Sequence, residues 1–142
     1  MKLAEALNKR KDLIGLLSTL KNAASQEAYS KTSKSDEMVQ KMTSIYREIC
    51  ALDYSINNAN NTLTVKVLGK EYTLANARYT RDRCKDMSAL FSELYRASPY
   101  IRTEAPVLHM DKNKVFALQN EFAKQARDLD TAIQGVNWTV DI

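Results

Sequence analysis

The feature that most constrains this chain is an unbroken apolar stripe in its second quarter. Met38, Met42, Ile45, Ile49, Leu52, Ile56 and Ala59 recur at steps of four and three residues. Such steps return to one side of a 3.6-residue helix, so the stretch reads as a helix with a heptad seam, and a seam of this kind needs a partner helix to cover it. Comparable stripes supply the partners. Leu3, Leu7, Ile14, Leu17 and Ala24, widened by Leu13, Leu16 and Leu20, predict a first helix over about Leu3 to Ala28. Leu74, Ala77, Cys84, Met87, Phe91 and Leu94 predict a third over about Leu74 to Arg96, with Thr73 as its N-cap. Val115, Leu118, Phe122, Ala126, Leu129, Ile133 and Val136 predict a fourth, capped by Asp111.

The punctuation agrees with four helices. Residues 30–35 are polar and rich in cap formers, and Ser33 or Ser35 can cap the second helix. The run Asn57, Asn58, Asn60, Asn61 is expected to end it, because asparagine competes for backbone hydrogen bonds and tolerates left-handed geometry. The period then switches to two: Leu63, Val65 and Val67 alternate with Thr62, Thr64 and Lys66, and Tyr72 and Leu74 follow a turn placed at Gly69-Lys70. That pattern predicts a β-hairpin over about 62–73, which must lean on helices because an isolated hairpin is marginal in water. Pro99 and Pro106 bracket a loop over about 97–111, with a short extended piece at Val107 to Met110. With three Gly and two Pro in 142 residues, a many-turned β fold is excluded. The expected architecture is all-α: a single domain, 1–142, built as an antiparallel four-helix bundle of long up-down helices with a small hairpin between helices 2 and 3.

Composition narrows the function classes. The chain has 21 basic and 17 acidic residues, spread without a block of like sign, so no nucleic-acid partner is expected. The longest uncharged apolar stretch near the start, Leu13 to Leu20, is too short to span a bilayer, and charges at Lys2, Glu5, Lys9 and Arg10 are unlike a signal peptide; stable membrane insertion is not expected and the expected location is the cytoplasm. The single histidine, His109, falls in the loop without a nucleophile motif beside it. No E-x-x-H pair occurs, so no metal or other cofactor is expected and no enzyme activity either. Cys50 and Cys84 read as free thiols, buried as small apolar side chains and slow to react.

The two ends of the chain resemble a family of small bacterial helical proteins, often called septicolysin. The resemblance is carried by Met1-Lys2-Leu3-Ala4-Glu5-Ala6-Leu7 at the start and by Leu129-Asp130, Ile133-Gln134 and Asn137-Trp138-Thr139-Val140-Asp141 at the end. Ile56-Asn57 with Asn60, and Leu74 with Arg81-Asp82, add to it. The hairpin is longer than the family's compact turn. The resemblance implies a helical bacterial protein without an assigned reaction; the "lysin" in the name implies membrane damage, for which the chain offers no motif.

In an up-down bundle these segments gather at one pole, where Glu5, Asn57, Asn60, Arg78, Arg81, Asp82, Asn137, Trp138 and Asp141 form a candidate site. As a ligand site, Arg78 and Arg81 would donate to a small anion beside a Trp138 wall. As a structural cluster, the polar groups would satisfy helix ends. Trp138 is expected to be buried near Leu3 and Leu7, and Asp141 to pair with Arg81 or Arg78. The long seams and the exposed hairpin edge predict a homo-oligomer, and the identity of any small ligand is not written in the sequence.

Overall fold

The computed structural model describes residues 1–31, 34–96 and 111–142. The expectations for Ser33 as a cap, for the 97–110 loop with its extended piece, and for His109 lie outside the described residues. The chain runs α1 (Leu3–Glu27), α2 (Ser35–Thr62), β1 (Thr64–Val67), β2 (Lys70–Thr73), α3 (Leu74–Arg96) and α4 (Lys112–Thr139). Over the described residues it is all-α, 83% helical, with four helices and a two-stranded antiparallel hairpin between the second and third.

Two compact units are present. The first is Met1–Leu63 with Gly135–Ile142, and the second is Thr64–Gln134. In the first, α1 and α2 run antiparallel, and ion pairs of Lys9 with Glu48 and of Arg10 with Asp53 tie them together. Both basic residues are early in α1 and both acidic residues late in α2, the order an antiparallel pair requires. The buried residues of α1 are Leu3, Ala4 and Ala6, and those of α2 are Ile45, Ile49, Ile56 and Ala59. Asp36 and Glu37 occupy the first turn of α2, where carboxylates complement the helix dipole.

The asparagine run lies inside the last turns of α2, which ends one residue beyond it. The helix continues to Thr62, because Asn61 Nδ2 donates to the Asn57 carbonyl at 2.9 Å and Thr62 Oγ1 to the Asn58 carbonyl at 2.9 Å, so these side chains fold onto the preceding turn and support it. Termination comes at Leu63, whose backbone is extended (φ −75°, ψ 141°).

In the second unit the hairpin pairs Thr64 with Thr73 and Val67 with Lys70. This register places the turn at Leu68-Gly69, one residue earlier than expected. Both turn residues have positive φ, 51° and 79°, the requirement of a two-residue turn that matches the strand twist. Glycine meets that requirement freely; leucine does so under strain. Val65 is buried, and Val67 and Tyr72 border a recess of about 190 Å³ with Thr80 of α3 and Leu129 of α4, so the hairpin leans on helices. Thr73 Oγ1 accepts from the Asn76 amide at 3.2 Å and caps α3; Asp111 Oδ1 accepts from the Asn113 and Lys114 amides and caps α4. Helices α3 and α4 are antiparallel: Arg81 meets Asp130, Ser88 Oγ donates to the Gln119 carbonyl, Phe91 stacks on Phe122 at 5.9 Å, and Tyr95 meets Phe116 at 5.6 Å. Leu74 and Ala77, with no exposed surface, anchor the start of α3.

Candidate functional site

The nine candidate residues divide between the two units. Glu5, Asn57, Asn60, Asn137, Trp138 and Asp141 belong to the first; Arg78, Arg81 and Asp82 belong to the second. Within the first, the organising residue is one that sequence reasoning did not single out, Lys2. Its backbone amide donates to Glu5 Oε2 at 2.8 Å, and its Nζ donates to Asp141 Oδ2 at 2.7 Å and to the Thr139 carbonyl at 2.9 Å. Lys2 and Asp141 also form an antiparallel β-bridge, flanked by backbone bonds from Leu3 to Val140 (3.2 Å) and from Ile142 to Met1 (2.9 Å). The two ends of the chain are thereby stitched together. The Lys2 hydrogen bond holds the Asp141 carboxyl below its usual range. No local pattern could have revealed this contact, because its partners are 139 residues apart.

Asp141 therefore pairs with Lys2 rather than with an arginine of α3. The expected burial of Trp138 is also overturned, since it is 58% exposed. The helix explains why: Trp138 lies five residues beyond the buried Ile133, about 140° further around α4. Asn57 and Asn61 are engaged with each other (Nδ2 to Oδ1, 3.3 Å), and Asn60 is half-buried. Asp141 and Ile142, with Tyr54, Asn58 and Thr62, line a shallow groove of about 210 Å³.

In the second unit Arg81 is the centre. Its Nη1 donates to Asp130 Oδ1 and its Nε to Asp82 Oδ1, both at 2.9 Å. Burial alone pulls the guanidinium down, and the two carboxylates more than offset this, so its pKa is raised. Both of its nitrogen faces are committed to protein carboxylates, which suits a structural clamp between α3 and α4. Arg78 is exposed. The thiols differ from expectation in one case. Cys84 is buried, and burial pushes its thiol up; Cys50 is exposed, because it stands one step off the Ile49 seam. Cys50 hydrogen-bonds Tyr46, which raises the phenol's pKa.

Two larger grooves lie among the described residues. One runs between α3 and α4, about 590 Å³, floored by Ala89, Ala123 and Ala126 and edged by Lys85, Gln119 and Arg127. The other runs between α1 and α2, about 560 Å³, with Ile14, Leu17, Val39, Met42 and Tyr46 on its walls. Among the described residues, no cluster of His, Cys, Asp and Glu is placed to hold a metal ion, and no helix is long and apolar enough to cross a membrane.

Fold and grooves together define a helical protein built from two antiparallel helix pairs and a hairpin. The family model of DUF6847, a family of unknown function, matches residues 4–142, and the chain belongs to that family. It is also similar to a solved structure, described as the crystal structure of a functionally unknown conserved protein from Corynebacterium diphtheriae. The two are 27% identical with a TM-score of 0.76, over 99% of this chain and 97% of the other. No curated protein matches the chain.

Proposed function

We propose that this protein is a self-associating interaction protein that performs no catalysis. The observation that carries the reading is the apolar surface that the α1–α2 pair leaves uncovered. Ile14 (43%) on α1 and Val39 (54%) and Tyr46 (59%) on α2 stay exposed and line one groove. Several such side chains on one face of a helix pair make a patch of the kind that marks an interaction surface. Arg81, the strongest anion-binding candidate, is occupied by Asp82 and Asp130, which favours a structural role for that cluster. Two free thiols fit a reducing, cytoplasmic setting.

A small-ligand reading has one observation behind it. The α3–α4 groove, at about 590 Å³, is of ligand size, and among the described residues Lys85 and Arg127 on its edge have no ion-pair partner. Native mass spectrometry of protein purified from its host separates the two. Self-association predicts a particle of about 32 kDa, twice the 16.1 kDa chain, without added mass. A 16.1 kDa particle carrying a retained small molecule favours the ligand reading and overturns the first.

A further inference from the structure

Among the described residues, the outer half of the α1–α2 pair leaves apolar side chains exposed, Ile14, Val39 and Tyr46. Beyond Ala6, α1 has no fully buried residue, although its stripe continues through Leu7, Leu13, Leu17 and Leu20. Two helices alone cannot enclose a seam; helical bundles do so with four. The face offers what the other two would cover, a groove walled by Ile14, Leu17, Val39, Met42 and Tyr46.

We infer that the missing pair is the same α1–α2 pair of a second copy, docked antiparallel about a two-fold axis through the groove at the level of Leu17 and Met42. This rests on the self-association proposed above and names its surface. Charge placement argues for both the partner and the orientation. Lys11 precedes Leu17 by six residues on α1, and Asp36 precedes Met42 by six on the oppositely directed α2. At 1.5 Å rise per residue each lies about 9 Å from the axis, on opposite sides of it. Each stands three residues before a groove residue, Ile14 or Val39, so each flanks the same face. Both are exposed, and among the described residues neither has an ion-pair partner in its own chain. Antiparallel docking brings Lys11 of each copy level with Asp36 of the other, twice; parallel docking would set like charges level. The size also fits. Two helix widths by the rise from Lys9 to Glu27 project roughly 500 Å², and the accessible area of an uneven face exceeds its projection, within reach of the ~800 Å² per partner of a standard interface.

The test is disulfide trapping in the full chain with Cys50→Ser, leaving the buried Cys84 in place. Lys11→Cys and Asp36→Cys proteins are oxidised separately and mixed, under conditions where the unmodified protein has the doubled mass. The expected result is a covalent dimer of about 32 kDa, twice 16.1 kDa, from the mixture and none from either protein alone. Dimers from each protein alone would overturn the antiparallel orientation. No trapping in any sample, with doubled mass retained, would overturn the face while leaving self-association standing. A 16.1 kDa mass for the unmodified protein would remove both. A second readout uses exposed positions that folding tolerates: Val39→Glu should weaken dimerisation at least about tenfold, and Leu90→Glu on α3, similarly exposed, should leave it unchanged. The reverse ranking would overturn the assignment.

Discussion

Replacing Arg81 by methionine keeps most of the apolar stem and removes the guanidinium that joins α3 to α4. Its side chain is 18% exposed, and its two partners, Asp82 and Asp130, are 52% and 42% exposed. A charge-assisted hydrogen bond in a buried setting contributes about 1.5–3 kcal/mol, and an exposed ion pair about 0.2–1. The Asp130 bond lies between these limits, and the Asp82 bond, between adjacent residues on one helix, lies at the lower one. The expected cost of Arg81→Met is therefore about 1–2 kcal/mol, a fall in melting temperature of roughly 3–8 °C for a chain of this length. Asp130→Asn should cost a similar amount and Asp82→Asn less than about 0.5 kcal/mol. In a double-mutant cycle read by urea unfolding, Arg81 and Asp130 should show a coupling of about 1 kcal/mol. A ligand site behaves differently, because relieving unpaired charge leaves the free protein as stable or more so. An unchanged or raised melting temperature for Arg81→Met, with no coupling to Asp130, would refute the clamp.

Three further outcomes follow from particular residues. Leu68→Asn should stabilise the hairpin by about 0.5–1 kcal/mol, because asparagine tolerates the positive φ that Leu68 is forced into and the lost leucine is 73% exposed; Gly69→Ala should destabilise it. Asp141 has a depressed pKa in the folded state, so its pairing with Lys2 stabilises the protein above the unfolded carboxyl value, near 4, and is lost as pH falls through the folded value. Lys2→Ala should thus lower stability at neutral pH and flatten the acid limb of a stability-pH profile. An aromatic disulfide reagent should modify Cys50 rapidly in native protein and Cys84 only on unfolding, and Trp138 should emit at long wavelength and be readily quenched.

Much of the helical framework was legible because its signals are local. The spacing of apolar residues set four helices, and the side-chain caps at Thr73 and Asp111 marked the starts of α3 and α4. The Asn57–Asn61 run marks the end of its helix to within one residue and supports the last turns through bonds to preceding carbonyls. Where sequence reasoning slipped, a competing interaction decided: the hairpin turn follows its strand register rather than the Gly-Lys pair. The candidate site was less legible. Its acidic member Asp141 was anticipated, but its partner Lys2 comes from the far end of the chain, and helix geometry rather than residue type sets the exposure of Trp138. Periodicity also overstated the core of α1: it marks which side of a helix is apolar, and within a single chain the outer part of that side stays half-covered.

That half-covered seam is the centre of the functional account, and the particle mass in solution tests it most directly. Multi-angle light scattering over a dilution series of purified protein should give about 32 kDa, twice the 16.1 kDa chain, at high concentration and fall toward 16.1 kDa on dilution. A mass fixed at 16.1 kDa across the whole series would contradict it.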